Sequence, residues 1–231
     1  LQREAVRVFL HRLGLSVRKV GMMPAKADPQ VQEVFKKKEL EPRLKQAQAG
    51  ERAVFFVDAA HFVLAPFLGF FWCFTRWLIR APSGRQRYNV LGALNAITHQ
   101  LVTVTNTTYI NAQSVCELLD RLKALALDVP ITLIMDNARY QRCQLVMDHA
   151  KTLGIELLFL PPYSPNLNII ERLWKFVRTQ CLYCKYYNTF SEFSSAIQAC
   201  LDQTHSTHKK ALQSLLTLKF QTLKNSKVMG G

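Results

Sequence analysis

Asp58, Asp136 and Glu171 are the residues of this chain whose type and setting could do chemistry. Asp58 closes the apolar run Val54-Phe55-Phe56-Val57, and Asp136 closes Ile131-Thr132-Leu133-Ile134-Met135 and precedes Asn137. Glu171 follows Leu160-Pro161-Pro162-Tyr163-Ser164-Pro165-Asn166-Leu167-Asn168-Ile169-Ile170. A carboxylate at the end of a buried strand is costly to desolvate unless a cation meets it. Three of them in a chain with surplus positive charge suggest a divalent-metal site for phosphodiester chemistry. Mg²⁺ combines few protein carboxylates with water and substrate phosphate, which suits three acids better than six. Each acid also has a plainer reading. Asp58 could be a turn residue, Asp136 an N-cap for the next helix, and Glu171 a surface residue paired with Lys175 at i+4. No Gly-rich phosphate loop, His/Cys metal cluster or G-x-S-x-G elbow competes for a catalytic role.

The charge distribution supports a polyanionic partner. The chain has 231 residues and a formal net charge of +14, with 49% hydrophobic and 20% charged residues, an ordinary globular composition. Residues 1–50 hold 11 basic against 5 acidic residues, and residues 172–231 hold 9 against 2. Residues 51–171, which contain the three acids, hold 10 against 9. Basic arms around a neutral core suit an enzyme that grips nucleic acid. The longest apolar stretch, Phe62 to Phe74, is broken by Pro66 and Gly69 and is too short to span a bilayer. No signal peptide is expected ahead of the first helix. Cys181-Leu182-Tyr183-Cys184 is a lone C-x-x-C, so the six cysteines read as free thiols in a reducing cytoplasm.

The elements that must position the acids follow from periodicity and punctuation. Val6, Phe9, Leu10 and Leu13 form the stripe of a basic helix that Gly14 ends. Asp28-Pro29 starts a helix that runs to about Gln48, with Gly50 as its stop. Residues 53–59 read as a buried strand, Phe70 to Ile79 as an irregular strand, and Pro82-Ser83-Gly84 as a turn. Tyr88 to Ile97 and Leu101 to Thr105 complete an antiparallel meander. A helix at 111–127, a strand at 130–135, a helix at 139–153 and a strand at 156–160 then alternate, which implies parallel pairing. The Pro-rich loop after Leu160 gives way to a helix whose stripe is Ile170, Leu173, Trp174, Val177 and Cys181. Glu171, Lys175 and Arg178 lie off that stripe. One or two helices are expected over 189–223. The expected fold class is α/β, a mixed five-stranded sheet flanked by helices with a basic helical N-terminal segment. The expected divisions are 1–50, 51–223 and a flexible tail at 224–231.

These residues carry a family resemblance. Phe55-Phe56-Val57-Asp58, Leu133-Ile134-Met135-Asp136-Asn137-Ala138-Arg139 and Pro161-Pro162-Tyr163-Ser164-Pro165-Asn166-Leu167-Asn168 before Glu171 resemble the DDE transposases of the mariner-like superfamily. The likeness is in particular to their bacterial insertion-sequence (IS-six-thirty) branch, whose spacing of 34 intervening residues separates Asp136 from Glu171. The resemblance implies an RNase H-like fold and a site for two Mg²⁺ ions, with Mn²⁺ able to substitute, built from Asp58, Asp136 and Glu171. It implies metal-dependent cleavage of transposon ends and joining of the 3′-OH to target DNA at TA sites. The implied partners are double-stranded DNA, as terminal inverted repeats and target, and a second copy in a homodimer, with no membrane. The implied place is the bacterial cytoplasm, at the nucleoid. An RNase H-fold DNA nuclease or resolvase, and a catalytically silent DNA-binding relic, remain alternatives. Arg85, Arg87, Arg139, Lys175 and Arg178 are candidate DNA contacts. Tyr163 reads as a loop anchor, His61 as a structural or DNA-contacting residue, and the Phe70, Phe71, Trp72 and Trp77 cluster as core or dimer contact. Residues 1–20 read as the remnant of a helix-turn-helix region that recognises the transposon ends. The rest of that region is expected to be encoded separately, removed or lost.

Overall fold

The computed structural model describes residues 3–16, 26–64, 74–75, 78 and 86–220. The expected irregular strand at 70–79 lies largely outside these residues. The turn at 82–84, Arg85, the Phe70, Phe71, Trp72 and Trp77 cluster and the tail at 224–231 lie wholly outside them.

Five strands form one sheet: β1 (Ala53–Val63), β2 (Arg87–Asn95), β3 (Leu101–Asn106), β4 (Ile131–Met135) and β5 (Ile155–Phe159). Their order is β3-β2-β1-β4-β5. The β1–β2 and β2–β3 pairs are antiparallel, and β1–β4 and β4–β5 are parallel. The short connection at Thr98-His99-Gln100 turns β2 directly back into β3. Helical crossovers return β4 and β5 in parallel, as their longer connections require.

The described residues contain eight α-helices. They are α1 (Arg3–Arg12), α2 (Pro29–Phe35), α3 (Glu41–Gln48), α4 (Ala112–Lys123), α5 (Gln144–Leu153), α6 (Ile170–Cys181), α7 (Phe190–Asp202) and α8 (Lys209–Leu215). Asp28 caps α2 by accepting from the Gln30 and Val31 amides at 2.8 and 3.2 Å, with Pro29 in the first turn. A π turn at Lys36–Leu40 links α2 to α3. The chain then leaves α3 through Gly50 at φ +76°, a conformation that costs glycine little.

Alternation along β1 builds two apolar layers. Val54, Phe56, Ala60 and Phe62 pack with α3, α6 and α7 on one face. Ala53, Phe55 and Val57 pack with α4 and α5 on the other. Leu40, Leu44 and Ala47 share the first layer, so packing runs continuously across the division expected at residue 50. By contrast, Val6, Phe9, Leu10 and Leu13 of α1 are all exposed.

Two expected boundaries move. β1 continues to Val63 instead of stopping at Ala59, so Asp58 lies within a strand and not at its end. Pairing explains the extension: β2 accompanies β1 from Phe55 to Val63, whereas β4 accompanies it only from Ala53 to Phe56. The helix expected from Arg139 begins at Gln144, so Asp136 is not its N-cap. Asp136 Oδ1 instead accepts from the Ala138 amide at 3.1 Å, closing a local turn.

Candidate active site

The early end of β4 opens a cleft beside Asp58. β1 has lost its β4 neighbour by that point, and the chain leaves β4 at Asp136. Side chains of Asp58, Asp136 and Glu171 line one cleft of about 410 Å³, together with Asn137, Ala138, residues 160–165 and Asn168. Glu171 is brought there by burial of the Ile170, Leu173, Trp174, Val177 and Cys181 stripe of α6 against the sheet. Being in the first turn, its charge also complements the helix dipole. Among the described residues no ion pair joins Glu171 to Lys175. The simple surface-pair reading of Glu171 therefore fails.

Several contacts between distant segments hold the walls. Asn168 Nδ2 donates to the Val57 carbonyl at 3.1 Å, tying the Pro-rich loop to the residue before Asp58. Asn137 Nδ2 donates to the Leu160 carbonyl, and the Leu160 amide donates to the Met135 carbonyl at 2.8 Å. Arg142 Nη1 reaches Asn137 Oδ1 at 3.0 Å while its guanidinium lies 5.2 Å from the Phe159 ring centre. Trp174 Nε1 donates to Asp58 Oδ2 at 3.0 Å. The indole can lie there because Gly92, opposite Asp58 in the β1–β2 register, presents no side chain.

The electrostatics are those of anions held near one another. Burial, then Glu171, then Asp136 push the Asp58 carboxyl up from an ordinary 3.8 to about 7, against the stabilising Ala59 amide and Trp174 indole. Burial also raises Glu171, with Arg178 opposing and Asp136 adding to the rise. Tyr140 is pushed up to about 12, first by burial and then by Asp136, so its hydroxyl stays neutral. The sign for stability follows from Asp58 being easier to protonate folded than unfolded. Its contribution is complete below pH 4 and is lost as pH rises through about 7, by at most about 4 kcal/mol. Metal-free wild type is therefore expected to lose stability relative to Asp58→Asn between pH 5 and pH 8. Thermal melts in EDTA measure this, and parallel profiles for the two proteins would contradict it.

The candidate DNA contacts separate in space. Arg178 lies close enough to Glu171 to act on its carboxyl, with its guanidinium 5.6 Å from the Phe62 ring centre. Lys175 is exposed on the same helix, and Arg139 is exposed next to Ala138 of the cleft wall. Arg87 pairs with Val63, five strand positions from Gly92, on the order of 16 Å along β2. The structure thus brings Arg178 near Glu171 and Arg139 next to the cleft wall, leaves Lys175 on the exposed side of α6, and sets Arg87 apart. Sequence reasoning missed Trp174, Gly92, Asn168 and Arg142 as supports of the site. Trp174 was legible only as a stripe residue, and a glycine inside a strand was the available signal for a close approach.

The donor set fits a hard divalent cation. The cleft offers carboxylate oxygens and the Asn168 amide, with no thiolate or imidazole. Asn168 Oδ1 is a buried carbonyl oxygen without a hydrogen-bond partner. As placed, no three acidic, histidine or cysteine side chains among the described residues are close enough to hold one ion. Sharing an ion requires the carboxylates to draw together.

A mixed sheet of this order, with acids on its first strand, just past its fourth and on a helix packed against it, has the RNase H-like fold. A family model described as DDE superfamily endonuclease matches residues 53–194, and the chain belongs to that family. The fold agrees with solved transposase structures. The Mos1 strand transfer complex aligns with TM-score 0.59 and 17% identity over 92% of this chain and 66% of that one. This chain thus spans just under two thirds of the length of that protein. The Mos1 mariner paired end complex with Mn gives TM-score 0.55 and 14% identity over 90% of this chain and 71% of that one. The catalytic domain of Mos1 mariner transposase gives 0.51 and 12%, covering 87% of this chain and all (100%) of that domain. No curated protein matches the chain by sequence.

Proposed function

We propose that this chain is the catalytic part of a DNA transposase of the insertion-sequence kind. It would cut transposon ends by hydrolysis and join the freed 3′-OH to target DNA at TA sites. The observation that carries this reading is the convergence of Asp58, Asp136 and Glu171 on one cleft of a DDE-family chain. The aligned Mos1 proteins were solved as paired-end and strand transfer complexes, with Mn and with Mg, which supports the same class of substrate and metal here.

In this reading the three carboxylates hold two Mg²⁺ ions, for which Mn²⁺ can substitute. The ions would supply charge that stabilises the attacking and leaving oxygens of an in-line displacement. Trp174 fixes one oxygen of Asp58, and Asn168 and Asn137 keep the loop and the end of β4 in register with it. Arg139, Lys175 and Arg178 hold DNA phosphates beside the acids, Arg87 meets backbone farther out, and Arg85 is a further proposed backbone contact. In the first step a P–O bond forms to water and the P–O3′ bond breaks, leaving a 3′-OH and a 5′-phosphate. In the second, that 3′ oxygen bonds to a target phosphorus and displaces a target 3′-OH. Residues 1–20, within which the basic helix α1 leaves Val6, Phe9 and Leu10 exposed, are the proposed remnant of the DNA-reading region. Residues 51–223 form the proposed catalytic domain and 224–231 a tail. Two copies would pair two ends, in the bacterial cytoplasm at the nucleoid. No helix among the described residues is long and apolar enough to cross a membrane.

The test is strand transfer. A duplex with a pre-cleaved 3′-OH end, taken from DNA flanking the coding sequence, is incubated with protein, Mg²⁺ and a supercoiled target. Joined products whose junctions fall at TA are expected. Cutting without joining would sink the transposase reading in favour of a nuclease or resolvase on the same fold.

A further inference from the structure

Tyr163 is oddly placed for a loop anchor. The residue is 50% exposed and its backbone has φ +57°, a left-handed conformation that is a steric outlier for a bulky residue. Such strain persists only where the surroundings enforce it. Here Pro161-Pro162 precede it and Ser164-Pro165 follow, restricting the backbone on both sides. Gln32, fully buried on α2, donates through Nε2 to the Tyr163 carbonyl at 3.3 Å and accepts from Asn166 Nδ2 at 3.0 Å. The Leu167 amide closes the loop onto the Ser164 carbonyl at 3.0 Å. The anchoring is done by Gln32 and the backbone, and the ring is left presented in a fixed frame.

Tyr163 lines the same cleft as Asp58, Asp136 and Glu171. None of the described residues lining the cleft is a cation, so this wall offers no charge to a phosphate. It offers prolines and an aromatic face. We propose that Tyr163 is a stacking platform for a nucleobase unpaired from the duplex beside the reacting phosphodiester. The proposal rests on the transposase reading above and adds the group that fixes the nucleotide next to the cut. A rigid ring stacks with little loss of side-chain freedom and accepts any base, since every base has a π face. Tyr163 is thus a substrate-binding residue for a frayed nucleotide, independent of the end sequence.

The strained backbone supplies the test, because glycine is at home at φ +57°. Wild type, Tyr163→Gly and Tyr163→Phe are compared on a linear duplex from the DNA flanking the coding sequence, with Mg²⁺ and cut sites mapped on gels. Tyr163→Gly is expected to melt no lower than wild type yet cleave about ten-fold or more slowly. Tyr163→Phe, which keeps the ring, is expected to recover most of that loss. An abasic nucleotide beside the cut should bring wild type down to the Tyr163→Gly rate and leave Tyr163→Gly unchanged. Wild-type cleavage by Tyr163→Gly overturns the proposal. So does an equal loss in both proteins on the abasic duplex. A loss that tracks a change in oligomeric state by light scattering also overturns it, and assigns the ring to an interface between copies. A wild-type protein that cuts no DNA defeats the transposase reading itself, and the platform with it. Cleavage by wild type with no effect of Tyr163 defeats the platform alone.

Discussion

Asp136→Asn and Glu171→Gln are each expected to lower DNA cleavage and end joining by on the order of 10³-fold or more, without loss of thermal stability. Each substitution preserves side-chain shape and removes one anionic donor from the cleft. Neither residue supports the core: both side chains are exposed on the cleft, and the burial around Glu171 comes from its neighbours Ile170, Leu173 and Trp174. Removing either charge also relieves repulsion, since Asp136 and Glu171 each push the Asp58 carboxyl upward and Asp136 does the same to Glu171. Metal-free melting temperatures at pH 8 should therefore hold or rise. Affinity for uncut DNA should stay close to wild type, because the basic groups proposed to meet phosphate are untouched. The check is cleavage, melting and DNA binding on the same preparations. Activity within ten-fold of wild type in either variant would remove that acid from the site. Loss of cleavage with DNA binding retained would dispose of the relic reading.

Gly92→Ala should do harm from a residue that touches no substrate. A Cβ built there lies 2.7 Å from Trp174 Cη2, 2.9 Å from Cζ2 and 3.2 Å from Ile170 Cδ1. Those atoms belong to a packed interior, with Trp174 1% and Ile170 0% exposed, so something must move. The overpacking should cost about 1–3 kcal/mol of stability. It should also shift the indole whose Nε1 holds Asp58, and with it the first turn of α6 that carries Glu171. Activity is therefore expected to fall by about ten-fold or more among molecules that remain folded, since small misplacements of reacting groups are expensive. The smaller ring in Trp174→Phe should accommodate the added methyl. Urea unfolding of wild type, both single variants and the double variant tests this as a cycle. A Gly92→Ala penalty that is the same with Phe as with Trp at position 174 would show that the indole is not what glycine accommodates. The double variant is expected to regain stability without regaining full activity, because Phe cannot donate to Asp58.

How much of this was legible in advance depended on the range of the interaction. Caps and stops were readable because they act within a few residues: Asp28 caps Pro29–Phe35, and Gly14 and Gly50 end their helices at φ +77° and +76°. The strand-helix order was readable from hydrophobic period, and mixed pairing followed from connection length. The acids were readable because a charge ending an apolar run conflicts with burial unless it has work to do. The start of α5 was misplaced because turn contacts at Asp136 and Asn137, one of them to Leu160, outcompeted helix formation over residues 139–143.

The sequence by itself determined the residue types, their order along the chain and the local elements that carry them. Only the tertiary structure decided that Asp58 sits within a strand where β4 has ended, that Trp174 reaches it across 116 residues of chain, and that Gly92 makes room. It also set Arg87 apart from the acids and turned Tyr163 outward. The physical reason is register and packing: strand pairing and the seating of α6 on the sheet are settled by the whole core at once. No window of neighbouring residues contains that information.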